Sequence, residues 1–209
     1  MADLPDLLHR DDRLLVLNKP TGLLSVPGIG PDKRDCMASR VQAHHPEARI
    51  VHRLDRDTSG VLVMARDAEA HRELSRQFHD REVEKCYIAV VAGEVEQEHG
   101  AIDLPMRKDF DHPPRHLIDH EHGRCALTNF RVISRDEGIS RLELRPVTGR
   151  SHQLRLHLKA IGHPILGDDL YAPPDVLAMA DRLLLHARSL WLVHPSNGAP
   201  MTFEAPEPF

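Results

Sequence analysis

Residues 125–147, CALTNFRVISRDEGISRLELRPV, decide the fold. Cys125–Ile133 and Ile139–Val147 read as strands, and Asp136-Glu137-Gly138 between them supplies the residue types of a turn. Working outward, Lys85–Ala92 is a further strand with Tyr-Ile-Ala-Val-Val at its heart, and Arg13–Asn18, Arg49–Leu54, Val61–Ala65, Ser189–Val193 and Met201–Glu204 read the same way. Helices are fewer and short. One spans Asp35–Ala43; a second is capped by Asp67, with Ala70, Leu74 and Phe78 recurring every four residues. A third is capped by Ser151, carries Leu154, Leu158 and Ile161 as one apolar stripe and ends at Gly162; a fourth lies near Asp175–Ala180. Lys19-Pro20-Thr21-Gly22 is a turn, Pro27–Pro31 a loop, and Asp109–Gly123 a loop or surface hairpin. Six to eight strands with three or four helices in irregular order predict an α+β fold with a mixed, mostly antiparallel central sheet, not alternating βα units. A single domain over residues 8–206 is expected.

The composition of the 209 residues, 41% hydrophobic and 28% charged, is that of a globular chain and excludes collagen-like, mucin-like or wholly disordered classes. Apolar runs such as Leu14–Leu17 and Leu183–Leu185 are far too short to cross a bilayer, and no basic-then-apolar leader opens the chain. A soluble, cytoplasmic protein without membrane contact is expected. Cys36, Cys86 and Cys125 form an odd set without a C-x-x-C pair, which argues against a disulfide framework and a structural zinc site. Net charge is −5, but from Arg141 to His163 five cations (Arg141, Arg145, Arg150, Arg155, Lys159) face one anion, Glu143. His152, His157 and His163 sit in that stretch, with His186 beyond it. Local charge, not the global sum, decides where a polyanion can sit.

Three segments carry the candidate chemistry. His52-Arg53-Leu54-Asp55-Arg56-Asp57-Thr58-Ser59-Gly60 lies between two apolar strands. A turn does not need a His-Arg pair ahead of a carboxylate, and Asp55 follows a strand end, from which a side chain can project into a cleft. Flanking arginines favour its ionised form, suited to act as nucleophile or to stabilise a cationic transition state. In Gly149-Arg150-Ser151-His152-Gln153-Leu154-Arg155-Leu156-His157, Arg155 falls at the edge of the buried helical stripe and can reach inward without full burial. Arg150 and His152 at the helix start suit an anion. Lys85-Cys86-Tyr87 opens the strongest strand.

Other readings of these residues are plainer or compete. Asp55-x-Asp57 has the form of a Mg²⁺-binding carboxylate pair of a phosphohydrolase, but Ser59 stands where Thr or Val is wanted and βα alternation is missing. His112, His116, His120 and His122 could hold zinc on a helix, which Pro113 and Pro114 spoil. Gly28-Ile29-Gly30 and Gly167-Asp168-Asp169 are more simply turns. A purely RNA-binding protein would keep its role after Asp55→Asn, and an enzyme would not.

Taken together, the motifs resemble the RluA family of RNA pseudouridine synthases. The resemblance rests on Asn18-Lys19-Pro20-Thr21-Gly22-Leu23-Leu24-Ser25-Val26-Pro27-Gly28, His52-Arg53-Leu54-Asp55 with Thr58-Ser59-Gly60, and Lys85-x-Tyr87. It continues through Thr148–Arg155 with His157, Gly162–Asp168, Arg182–Ala187 and Met201-Thr202-Phe203, in order over nearly the whole chain. It implies the pseudouridine synthase fold, with no S4-like domain before the Asn-Lys-Pro segment. Asp55 then matches the catalytic aspartate, Tyr87 the active-site tyrosine, Arg155 the arginine that pairs with that aspartate, and Arg53 the residue entering the RNA stack. These are expected to converge on one cleft, with His52, Arg150, His152 and Lys159 as further RNA contacts. The implied substrates are 23S rRNA and the anticodon stem-loop of tRNA, acted on by a monomer. Isomerising uridine involves no redox step and no phosphate cleavage, so neither a metal nor another cofactor is expected.

Overall fold

A computed structural model describes residues 6–30 and 33–209. Pro31, in the expected 27–31 loop, and the first five residues, where a leader was sought, lie outside the described residues. The chain opens with β1 (Leu7–Arg10), β2 (Leu14–Lys19), α1 (Met37–Gln42), β3 (Arg49–Ile50), β4 (Ser59–Ala65) and α2 (Ala68–His79). It continues with β5 (Glu84–Ala92), β6 (His99–Asp103), β7 (Met106–Lys108), β8 (His116–Ile118), β9 (Leu127–Asp136) and β10 (Ile139–Pro146). Then follow α3 (Gln153–Ala160), α4 (Pro174–Leu177), β11 (Leu185–Val193) and β12 (Pro200–Glu204). The α+β class and the mixed, mostly antiparallel pairing stand as expected: β4 and β11 are parallel, and the other strand pairs described below are antiparallel. Among the described residues no helix is long and apolar enough to cross a membrane.

The chain divides into two compact units. The first joins the described residues through Lys85 to His186–Pro208. Here β1 pairs β2, β2 pairs β4, β4 pairs β11 and β11 pairs β12. Leu14 and Val16 of β2, Val61 and Val63 of β4, Leu190 and Leu192 of β11 and Phe203 of β12 pack against Ala70 and Leu74 of α2. The α2 start is as read: Asp67 Oδ1 accepts the N–H groups of Glu69 and Ala70, both at 2.8 Å, satisfying donors that the helix itself leaves open.

The expected strand over Arg49–Leu54 shrinks to two residues for a visible reason. Past Ile50 the edge of β4 is taken by a side chain, with the Val63 N–H donating to Nε2 of His52 at 2.9 Å. Further along that edge β4 meets β11, where His186 and Ala187 lie opposite Ser59 and Gly60. Gly60 has φ +114°, and a Cβ there would stand 2.1 Å from the Ala187 carbonyl oxygen. Only glycine fits this junction.

The second unit spans Cys86–Leu185 with Phe209. Its strands run β5-β10-β9-β6, all antiparallel. The quoted hairpin is present, its turn at Glu137 and Gly138 in the left-handed region. Ala89 and Val91 of β5, Leu142 and Leu144 of β10 and Phe130 and Val132 of β9 form the core under Leu154 and Leu158 of α3. The 109–123 segment is a hairpin connection, with β7 and β8 paired on either side of its tip.

At α3 the expected cap is corrected. Ser151 is exposed, and the residue before the helix is His152, in the left-handed region at φ 57°, ψ 15°, with no capping bond from its side chain. Gln153 takes over the anchoring. Its Oε1 accepts from the Thr148 hydroxyl at 2.8 Å and the Arg150 N–H at 3.0 Å, while its Nε2 donates to Leu127 O and Thr128 Oγ1.

Gly60→Ala would force both a contact with Ala187 and a left-handed backbone on a residue with a Cβ; strain of this kind costs roughly 1–3 kcal/mol. Urea unfolding should show a lower midpoint and a free energy of unfolding reduced by at least that cost.

Candidate active site

The loop that carries Asp55 has little regular pairing of its own, yet its backbone is fixed from three sides. Lys19, at the end of β2, is completely buried. Its ammonium donates to Pro20 O at 2.8 Å, Leu23 O at 2.6 Å and Arg56 O at 2.8 Å. An ammonium has three hydrogens, and three carbonyls take them. The buried Ser25 hydroxyl donates to Leu54 O at 2.8 Å and accepts the Leu54 N–H at 3.0 Å. Thr21 Oγ1 donates to Asp57 O at 2.8 Å, and the Thr58 N–H closes the turn on Asp55 O. None of these bonds uses the Asp55 carboxylate, which is half-buried. Behind the loop, Ser59 Oγ lies 2.8 Å from Nδ1 of the buried His186.

Around Asp55 the other charged residues separate. Arg53 is exposed. Arg56 turns to Asp57, its Nε 2.9 Å from Oδ1, so this carboxylate carries its own counter-cation, unlike one half of a metal-binding pair. His52 lies half-buried, its ring stacked on Phe78 at 4.5 Å between centroids. Burial, and then the nearby Lys85 cation, push its pKa down to about 3. It is a neutral acceptor for β4, which is a supporting role for a residue expected at the RNA.

In the second unit Tyr87 is half-buried on β5, opposite Leu144 of β10 and beside the core of that unit. Lys85, two residues earlier and on the same face of the strand, is held below the ordinary lysine range by burial and then by Arg81. Arg155 departs from the expected half-exposed position. Its side chain is 2% exposed and forms a two-pronged pair with the fully buried Asp168, Nε to Oδ2 at 2.8 Å and Nη2 to Oδ1 at 2.5 Å. Nη2 also reaches Asp169 Oδ1 at 2.8 Å. The resemblance pairs this arginine with Asp55; within its own unit it holds Asp168 and Asp169.

Gly167, at φ +70°, brings Asp168 to that position, since a Cβ there would stand 2.0 Å from Arg182 O. Asp168 Oδ1 further accepts the N–H groups of Leu170 and Tyr171. His157, two residues after Arg155, is buried between Thr128 Oγ1 and Leu104 O, both at 3.0 Å, and burial lowers its pKa. Arg150 and Lys159 are exposed, and the half-buried His152 meets the Tyr171 hydroxyl at 2.9 Å.

Lys19, Ser25, Asp168, Asp169 and Tyr171 are the residues that sequence reasoning missed. Lys19 stood in a quoted motif but read as part of a turn; its one signal was a lysine separated only by Asn18 from the apolar run Leu14–Leu17. Asp168 followed Gly167 in a segment read as a plain turn. The histidines of the 109–123 hairpin are dispersed, with His112 bonding Asp109 at 3.2 Å and His116 lying on β8. Among the described residues no group of three or more His, Cys, Asp or Glu is placed to hold a metal ion.

Comparison with known proteins bears on these segments. The family profile described as RNA pseudouridylate synthase matches residues 13–160. The chain is 50% identical over 204 residues to the dual-specificity RNA pseudouridine synthase RluA of Yersinia pestis, covering 97% of this chain and 99% of that one. Against the protein of the same name in Escherichia coli K12 the identity is 48%, with 97% and 93% covered. Among solved structures, human RNA pseudouridylate synthase domain containing 1 superposes with a TM-score of 0.83 at 27% identity, covering 98% of this chain and 84% of that one.

Because folded His52 takes a proton only near pH 3 while the unfolded chain takes one near 6.5, stability is full above about 6.5 and falls as the pH drops through that window. The buried His157 adds to the loss with the same sign. Denaturation at pH 6.5 and pH 5, above the range in which carboxylates titrate, should show the decline, and His52→Gln should flatten it.

Proposed function

The chain belongs to the RNA pseudouridine synthase family, RluA type, and on that premise we propose that it isomerises specific uridines in structured loops of 23S rRNA and in the tRNA anticodon stem-loop. The observation that carries the reading is the match at 50% identity, over nearly the full length of both chains, to a dual-specificity RNA pseudouridine synthase. The fixed Asp55 loop supports it from the side of geometry.

The reaction breaks the C1′–N1 bond, turns the uracil, joins C1′ to C5, protonates N1 and removes the C5 proton. We assign Asp55 the role of meeting the electron-poor centre created when the glycosidic bond is strained. A carboxylate can do this as nucleophile or as stabiliser of an oxocarbenium-like sugar, as in retaining glycosidases. Its loop backbone is locked by Lys19 and Ser25, so little reorganisation is required at the moment of reaction. Tyr87 offers a ring to stack on uracil and a hydroxyl suited to take up the C5 proton. Arg155 is a permanently charged group, preset by Asp168, that favours ionised carboxylate chemistry.

The target base must leave its stack to be reached, at a cost of a few kcal/mol that is smallest in loops. Arg53, exposed two residues before Asp55, is the side chain we assign to the vacancy, because a planar guanidinium both stacks and carries charge. Arg150 and Lys159, both exposed, are the phosphate contacts.

Asp55→Asn should abolish pseudouridine formation while RNA binding stays within about threefold, because removing a group that acts in the transition state spares ground-state binding. Tritium release from 5-³H-uridine RNA and filter binding read the two quantities; turnover by the Asn variant, or loss of product through lost binding alone, would overturn the assignment. Arg150→Ala and Lys159→Ala should each weaken RNA binding and reduce its salt slope by about one unit.

A further inference from the structure

Arg155 does not stand alone on its helix. The chain that leaves Asp168 returns under the guanidinium, and the ring of Tyr171 lies 5.4 Å from it, centroid to Cζ. Asp168 Oδ1 grips both that guanidinium and the Tyr171 N–H, so arginine, aspartate and tyrosine backbone form one closed unit. The Tyr171 ring is buried among Met106, Ala126 and Leu156. Its hydroxyl oxygen accepts the backbone N–H of His116 on β8 at 2.8 Å and shares a hydrogen bond with Nδ1 of His152 at 2.9 Å. His152 immediately precedes α3, whose third residue is Arg155, and holds the left-handed backbone on which the helix start depends. A left-handed conformation in a residue with a side chain is sustained only where surrounding contacts over-determine it, and the Tyr171 hydroxyl is such a contact.

We propose that Tyr171 is a positioning residue for the reaction, setting the place of the Arg155 guanidinium from below through its ring and from the helix start through its hydroxyl and His152. The inference rests on the reading of Arg155 as part of the reaction machinery given above. A guanidinium held on one side only by carboxylates can swing with them; a ring beneath it and a tether at its helix remove that freedom. Misplacement of a reacting group by about 1 Å costs up to roughly a hundredfold in rate.

Tyr171→Phe is the direct test, since it keeps the ring and the core packing and deletes only the oxygen. Under saturating RNA stem-loop, kcat should fall roughly tenfold, with KM within about twofold, the pattern of a misplaced group rather than of lost RNA contacts. In combination with Asp168→Asn the losses should be less than multiplicative, because both substitutions act through Arg155. His152→Gly is a second route. Glycine accepts the left-handed backbone, so folding is preserved, and the loss of the ring should lower kcat in the same way. Wild-type kcat in Tyr171→Phe and His152→Gly, or losses confined to KM, would overturn the inference. Arg155→Lys separates this failure from failure of the parent reading: an inactive Lys variant beside a fully active Tyr171→Phe sinks only the tyrosine's role, whereas a fully active Lys variant sinks the assignment of Arg155.

Discussion

Removing an ammonium from water is one of the costliest steps in folding, and this chain does it at Lys19 without exposing any of the side chain. The three carbonyls that receive it belong to Pro20, Leu23 and Arg56, the first two in the turn after β2 and the third in the Asp55 loop. Without the lysine the Leu23 carbonyl, whose bond is buried, would be an unsatisfied acceptor, and without the three carbonyls the buried ammonium would be uncompensated, so the cation and the two chain segments stabilise one another. A loop of this kind could not be fixed by strand pairing, because pairing would put the carboxylate into the regular alternation of a sheet. Point-charge anchoring leaves the backbone irregular and still immobile. Lys19 is also the residue of β2 that lies opposite Gly60, the tightest point of β4 against β11. The loop is therefore clamped where it enters β4 as well as along its length.

In the second unit the buried cation is an arginine, and it meets carboxylates where Lys19 meets carbonyls. Arg155 carries one positive charge against the two carboxylates of Asp168 and Asp169. A buried ion pair is weak evidence for stability, since desolvation takes back much of the Coulomb gain. Its value lies in direction. The two-pronged contact with Asp168 fixes the plane of the guanidinium, which a lysine at the same place could not match. Around it Gln153 and His157 tie the same helix to Leu127 and Thr128 at the start of β9, so much of the motif from Thr148 to His157 fastens the helix to the sheet.

Much of this was legible in the chain. The hairpin of β9 and β10, the α2 cap and the β5 strand follow from periodicity and turn chemistry, and the segment around Asp55 carries residue types that a plain turn does not need, whereas Tyr87 and Arg155 stood out only through the family resemblance. What was hidden had short range or long range as its cause. β6 is an edge strand with only Ile102 buried, and its Gly100 passes against the Phe130 ring, so no alternation marks it. β3 stops early because a histidine side chain substitutes for backbone pairing, which propensity does not foresee. The left-handed His152 displaced the expected Ser151 cap because Gln153 bonds outward to β9 and Arg150. Asp168 looked like any aspartate in a turn, since its partner lies 13 residues away on a helix.

The excess of cations between Arg141 and His163 also changes meaning once each has a place. Arg141 lies against the Phe209 ring, and its Nη2 donates to the Phe209 carbonyl at 3.0 Å. Arg145 bonds Glu143, which Arg131 also approaches, and the two cations hold that carboxylate below its usual range despite the burial that opposes them. Arg155 is spent inside. Of the five, Arg150 and Lys159 remain on the surface with no carboxylate among the partners described for them, Arg150 Nε reaching only the Cys125 carbonyl at a long 3.4 Å. A sequence-level surplus of four charges thus becomes about two that a phosphate can meet. On the proposed reading, two such cations offer few phosphate contacts, and selection of a site would then draw on the energy of deforming an RNA loop.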